Sequence, residues 1–131
     1  MKYVIDTHTL IWFLANNSRL GPNASRILND PKSELVLPAT ALAEVCWIIE
    51  HRALGIAITD VMNALDNDPR FVIYNLSRAV IEKSNSLSDI REMHDRQIAA
   101  TALMLISGGD KAELVTCDIN ITASALVPVI W

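Results

Sequence analysis

Short apolar runs alternate with longer amphipathic stretches along the chain, and this alternation predicts the fold class. Four runs have the length and composition of strands: Tyr3–Ile5, Leu35–Leu37, Phe71–Tyr74 and Glu113–Thr116. A fifth run, Val127–Ile130, contains Pro128 and is therefore expected at the edge of a sheet, because proline cannot donate a ladder hydrogen bond.

Segments with the apolar spacing of a helix separate these strands. They cover residues 9–15, 40–52, 59–65 and 77–87, with a short one around residues 24–28. A strongly apolar helix follows the polar cluster Ile90–Arg96 and stops at Gly108 and Gly109. Because strands and helices alternate, the sequence predicts a single α/β domain over residues 1–131. A mostly parallel sheet of four to five strands should lie between two helical layers.

Composition narrows the class of protein. Hydrophobic residues form 51% of the 131-residue chain, which supplies a full core. No apolar run reaches the roughly 18 residues of a membrane span and no leader-like segment opens the chain, so a cytoplasmic location is expected. Cys46 and Cys117 are too few and too far apart for a disulfide scaffold, and both are expected to be buried. Trp12 and Trp47 fall on predicted helices and are expected in the core or in an interface.

The formal net charge of −4 argues against a protein that coats nucleic acid through bulk positive charge. The lysines and arginines are scattered along the chain and form no basic run. The charge does not exclude a nuclease, because acids that bind divalent cations contribute to the same total.

Four acidic residues occupy positions that a parallel sheet brings together. Asp6 and Asp118 each follow a predicted strand, and Glu44 and Asp95 lie near the starts of predicted helices. Strand carboxyl ends and the following helix starts share one edge of such a sheet, so all four side chains can reach one crevice. Two like charges 4 Å apart cost roughly 4 kcal/mol at an effective dielectric of about 20. The cluster therefore requires retained protons or bound cations.

Oxygen ligands without a Cys–His pattern favour Mg²⁺ or Mn²⁺, and the corresponding reaction class is metal-assisted hydrolysis of a phosphodiester. Each acid also has a structural alternative. Asp6 and Asp95 could cap helices or offset a helix dipole, and Glu44 could extend to solvent. Asp118 could form a turn with Asn120.

Several stretches together carry a family resemblance over nearly the whole chain: Val4–Trp12, Ala43–Val45, His94–Ala102, Leu114–Asp118 and Val129–Trp131. They resemble the PIN-domain family and, more narrowly, the VapC-type toxins of type II toxin–antitoxin pairs. The resemblance implies a three-layer PIN-like domain and a Mg²⁺- or Mn²⁺-dependent endoribonuclease. Its catalytic and metal-binding acids would be Asp6, Glu44, Asp95 and Asp118.

Three further residues are expected to contact substrate or to support these acids. Thr116 stands where the family often has a small hydroxyl residue, and it either orients water or is a plain strand former. Arg96 either pairs with an acid or grips a phosphate. Thr7 follows Asp6 directly. The chain departs from many relatives before Asp95, where Glu92–His94 replaces an Asp-Pro-Phe run.

The resemblance also implies an RNA substrate, a cognate antitoxin protein, a homodimer and no membrane. The first two helices and residues 48–65 could form an apolar groove for the antitoxin, although core packing explains the same residues. The alternative function is a catalytically silent PIN-like module that binds RNA or protein. A phosphoaspartyl hydrolase of the haloacid-dehalogenase type ranks last, because it needs a second aspartate two residues after Asp6, where this chain has His8.

Overall fold

A computed structural model describes all residues 1–131. Its five strands are β1 (Lys2–Ile5), β2 (Glu34–Pro38), β3 (Phe71–Tyr74), β4 (Ala112–Val115) and β5 (Val129–Ile130). Its seven helices are α1 (Thr7–Leu14), α2 (Pro22–Asn29), α3 (Ala39–His51), α4 (Ile58–Asn67), α5 (Arg78–Asn85), α6 (Met93–Ser107) and α7 (Ile119–Ser124). The strands form one sheet in the order β3-β2-β1-β4-β5, and all neighbours are parallel. The predicted α/β class with a central parallel sheet is confirmed.

The elements agree with the predicted segments within a few residues at each end, apart from α7, which the sequence did not reveal. Helix α7 has only six residues, and several of them are β-branched and therefore weak helix formers. The helix depends on Asp118, whose side chain accepts hydrogen bonds from two of its first backbone N–H groups. None of the helices has the length and apolar character needed to cross a membrane.

The sheet is built around β1, which pairs with β2 on one side and with β4 on the other. Val4 and Ile5 of β1 are fully buried, as is Leu114 of β4. This arrangement explains the short, continuous apolar runs, since strands covered on both faces have no polar side. Because β1 and β4 are parallel neighbours, the residues that follow them lie side by side at the same edge of the sheet.

The edge strand β3 behaves differently although its sequence is just as apolar. Val72 and Ile73 are exposed. Because consecutive strand residues point to opposite faces, both faces of this edge strand are partly uncovered. The expectation that both cysteines are buried is wrong for Cys117, which is exposed, while Cys46 is half-buried. At the opposite edge, β5 pairs with β4 only, as the proline in that run predicts.

The last residue of the chain packs beside the start of α2. The rings of Trp131 and Trp12 meet edge to face with their centroids 5.8 Å apart. A Cβ at Gly21 would lie 2.6 Å from the Trp131 ring, so only glycine allows this approach. Asn23 donates a hydrogen bond of 2.9 Å to the Trp131 carbonyl. Trp12 is thereby held in place at one wall of the site described below.

Val36 and Val72 offer a matched test of this burial pattern, because they are register partners in adjacent strands. Val36 is 5% exposed and Val72 is 60% exposed. We expect Val36→Ala to lower the free energy of unfolding by about 2 kcal/mol through lost burial and a residual cavity. Val72→Ala should cost less than about 1 kcal/mol. Urea unfolding of both variants measures the difference, and equal losses would contradict the assigned sheet edge.

Candidate metal centre

The four acids predicted to meet do lie around one cavity of about 240 Å³ at the carboxyl edge of the sheet: Asp6, Glu44, Asp95 and Asp118. The other lining residues are Thr7, His8, Trp12 and Cys117. The lining therefore contains no lysine or arginine, so no permanently charged cation of the protein offsets the carboxylates there.

Asp6 serves the fold and the cavity at once. It is the N-cap of α1, and its Oδ1 accepts a 2.7 Å hydrogen bond from the backbone N–H of Thr7. Its Oδ2 accepts a short hydrogen bond from the Thr116 hydroxyl. The side chain is almost completely enclosed, and burial raises the pKa of Asp6 while both hydrogen bonds oppose that rise. Asp6 therefore both caps α1 and lines the cavity.

The Thr116 hydroxyl connects two of the acids. It donates to Asp6 and accepts a 3.0 Å hydrogen bond from the backbone N–H of Asp118. The side chain is buried, so both hydrogen bonds are shielded from water. Thr116 therefore links the chain segments that follow β1 and β4. This role is more specific than that of a residue present only for its strand propensity.

Asp118 is the N-cap of α7. Its Oδ1 accepts hydrogen bonds of 2.8 Å from Asn120 N–H and 2.9 Å from Ile121 N–H. The expected turn with Asn120 is thus present, and it fixes the orientation of the carboxylate. Only one oxygen takes part, so Oδ2 has no protein hydrogen bond and is free to bind a ligand from the cavity.

Glu44 projects from α3 and is held on both oxygens. Its Oε1 accepts a 2.9 Å hydrogen bond from the Thr7 hydroxyl, and its Oε2 lies 3.3 Å from His94 Nδ1. Burial raises the pKa of Glu44, and the Thr7 hydroxyl and His94 oppose that rise. Thr7 thus fixes Asp6 through its backbone and Glu44 through its side chain.

Asp95 lies in the first turn of α6, and its carboxylate has no hydrogen bond from the protein. Burial, together with the neighbouring charges of Asp118, Asp6, Glu92 and Glu44, raises the pKa of Asp95 to about 7. The raised pKa of Asp95 thus reflects its burial first and the surrounding negative charge second.

A second polar cluster adjoins the cavity, and sequence reasoning missed it. His94 Nδ1 lies 3.1 Å from Glu92 Oε1 as well as close to Glu44, and the ligand atoms of all three lie within 4.8 Å of one another. Glu92 is the N-cap of α6, and it accepts a 2.8 Å hydrogen bond from Asp95 N–H. Its position three residues before Asp95 is the spacing of a helix cap, but no sequence signal links it to Glu44.

Arg96 does not pair with an acid, which is one of the two roles expected for it. Its guanidinium donates to the backbone carbonyls of Ile90 and Ser88, so it neither pairs with an acid nor lines the cavity. It fastens the loop before α6 and thereby the start of the helix that carries Asp95. Cys117, by contrast, lies at the cavity although the sequence predicts only a buried apolar role.

Comparison with known families agrees with this geometry. The family model described as PIN domain matches residues 3–125. The chain belongs to the PIN-domain family. PIN domains are usually nucleases that use divalent metals. No curated protein sequence matches the chain.

The donor set of this PIN domain suits a hard divalent cation. Carboxylate oxygens are the ligands that Mg²⁺ and Mn²⁺ prefer, and the buried Asp6 sits beside Asp118 and Asp95, each with a carboxylate oxygen free of protein hydrogen bonds. Positive charge in the cavity would remove the repulsion that raises the pKa of Asp95. Asp6, Asp95 and Asp118 line the cavity together and offer oxygen ligands for such an ion, and the adjoining group of Glu44, Glu92 and His94 has its ligand atoms within 4.8 Å of one another.

The raised pKa of Asp95 predicts how stability depends on pH. In the unfolded chain this carboxyl titrates near 3.8, and in the fold near 7. Between these values the folded protein holds a proton that the unfolded chain lacks, so stability falls as pH rises through that window. We expect Asp95→Asn to raise the melting temperature of the metal-free protein at about pH 8 but hardly at about pH 4. Asp66→Asn, on an exposed face of α4, is the control. Equal effects of Asp95→Asn on the melting temperature at both pH values would contradict the raised pKa of Asp95.

Thr116 allows a test of ligand positioning. We expect Thr116→Val to weaken Mn²⁺ binding by about 10- to 100-fold, since groups that orient metal ligands have effects of this size. Thr116→Ser should retain most of the affinity. Thr9→Val is a matched control, because the Thr9 hydroxyl is also buried but donates to the Val115 carbonyl and to no acid. Calorimetric titration measures each affinity, and unchanged binding by Thr116→Val would remove this residue from the site.

Proposed function

We propose that this PIN domain is a Mg²⁺- or Mn²⁺-dependent endoribonuclease. The observation that supports the proposal most strongly is the enclosure of four carboxylates in one cavity that has no lysine or arginine in its lining. Membership of a family of nucleases agrees with it. Purely structural roles do not explain Asp95, whose carboxylate bonds to no protein group and carries a strongly raised pKa.

In this proposal the residues of the chain divide the work between binding and orientation. Asp6, Asp95 and Asp118 would hold the cation. When bound, the cation would supply positive charge for the phosphate and lower the pKa of the attacking water. The hydroxyls of Thr116 and Thr7 keep Asp6 and Glu44 in fixed orientations, which avoids reorganisation during the reaction.

Glu44 is the acid placed to exchange a proton during the reaction. It is half-buried, its pKa is raised by burial, and its Oε2 is close to His94. His94 is itself partly exposed and can pass a proton to solvent. The pair therefore offers a route for the proton that the attacking water loses.

The resemblance of the sequence motifs supports the finer parts of the proposal: an RNA substrate in the cytoplasm, the toxin role, a cognate antitoxin and a homodimer. Apolar side chains also remain exposed along β3, α5 and the loop between them, including Val72, Ile73, Leu76 and Ile81. An apolar surface of this kind is typical of a protein interface, and it supports the proposed homodimer.

The proposal predicts the effect of removing single acids. We expect Asp6→Asn and Asp95→Asn each to slow cleavage of single-stranded RNA by about two orders of magnitude or more, because each removes a charge that holds the cation. Gel assays of purified protein with Mn²⁺, and with chelator as a blank, measure the rates.

Asp66→Asn is the control, since Asp66 is exposed on α4 and lies outside the cavity. It should cleave at the wild-type rate. Cleavage by Asp95→Asn at the wild-type rate, or wild-type cleavage that persists in chelator, would contradict the proposal. Metal binding without cleavage of any RNA would favour the silent module instead.

A further inference from the structure

A second and larger cavity of about 620 Å³ adjoins the acidic one. Glu44 and His8 line both, so the two cavities share a wall. The larger one is lined mainly by α3 and the start of α6, and its apolar residues include Trp47, Ile48 and Met93. Nothing in the metal chemistry proposed above uses these side chains.

Trp47 is the most unusual residue of this second cavity. Its side chain is 58% exposed, which is uncommon for so large an aromatic residue. One face of the indole stacks on the His51 ring, with the centroids 4.1 Å apart and the planes 20° from parallel. His51 Nδ1 lies 2.7 Å from the Trp47 carbonyl, which fixes that ring in turn. The indole is therefore held in one orientation although it is exposed.

The second cavity also contains polar groups, and they differ from the carboxylates of the first cavity. Gln97 is buried, and its Oε1 accepts a 2.7 Å hydrogen bond from the Thr40 hydroxyl, which fixes the direction of the amide. Its Nε2 has no acceptor in the protein, and Gln97 is one of the residues that line the cavity. The exposed Arg52 also lines the cavity, and Glu44 is its only acid. The larger cavity thus offers an aromatic face, a fixed amide donor and a cation.

We propose that this second cavity binds one unpaired nucleobase of the substrate strand, with Trp47 as the stacking surface. The inference rests on the proposed nuclease function, since the shared wall of Glu44 and His8 places this base beside the phosphodiester at the acids. Gln97 Nε2 donates to an acceptor on the base, and Arg52 contacts a neighbouring phosphate. Stacking tolerates any base, whereas the Gln97 donor favours bases with an acceptor towards it.

Binding of short single-stranded oligoribonucleotides tests this proposal without relying on cleavage. Asp95→Asn serves as the background, because it should cut the RNA at about one hundredth of the wild-type rate or less, and fluorescence anisotropy gives the affinities in Mg²⁺ and in chelator. Trp47→Ala should weaken binding by about 5- to 100-fold, the range that loss of one stacked base produces. Trp47→Phe should retain most of the affinity. Ile106→Ala, exposed on α6 and outside both cavities, is the control and should bind normally.

Abasic substitution in the RNA identifies the contact directly. Removing the base at one position should weaken binding to the background protein by a similar factor, yet have little further effect on Trp47→Ala. Such coupling in a double-mutant cycle shows that Trp47 and that base interact. Unmeasurable binding of RNA, normal binding by Trp47→Ala, or independent effects at every position would overturn the proposal. A change in sedimentation mass for Trp47→Ala with normal RNA affinity would assign the indole to a protein interface instead.

The two proposals can fail separately. If the wild-type protein cuts no RNA with any divalent cation, but Trp47 and one base are coupled, the nuclease is refuted and the base site is supported. If the wild-type protein cuts RNA and the abasic series shows no coupling to Trp47, the base site is refuted and the nuclease is supported.

Discussion

Repulsion among carboxylates enclosed at one edge of the sheet is the constraint on which the rest of this structure depends. Asp6 is almost completely buried, and Asp95 is partly buried with a pKa near 7. Burial disfavours each charge, and no lysine or arginine in the lining compensates for it. Helix capping alone does not explain these aspartates, because a serine or an asparagine caps a helix equally well without burying a charge. The proposed binding of divalent cations would explain why acids occupy these positions.

The parallel sheet makes the cluster possible, and two threonines make it rigid. Asp6 and Asp118 follow adjacent strands, so the fold itself brings them together across more than a hundred residues of sequence. The Thr116 hydroxyl then joins them, and Thr7 joins Asp6 to Glu44. Asp6 uses one oxygen for its helix and the other for Thr116, whereas Asp118 uses one oxygen for its helix and retains a free one. Structural and chemical roles thus coexist on the same side chain.

The sequence predicted the sheet and the meeting of the four acids, because strand ends and helix starts are marked by local composition. It did not predict α7, whose residues are poor helix formers held by one cap. It also missed the contact of His94 with Glu44, since nothing local relates residues fifty positions apart. Helix α3 is apolar on nearly every side, so its periodicity could not show that Trp47 faces outward. The anchoring of Arg96 was not predicted, because its partners are backbone carbonyls, which carry no sequence signal.

Anomalous X-ray diffraction from crystals soaked in Mn²⁺ near neutral pH tests most directly whether divalent charge holds these acids together. The account predicts an anomalous peak inside the acidic cavity, within coordination distance of Asp6 and at least one of Asp95 and Asp118. An ion-free cavity at saturating Mn²⁺, with the acids hydrogen-bonded to one another through retained protons, would contradict it.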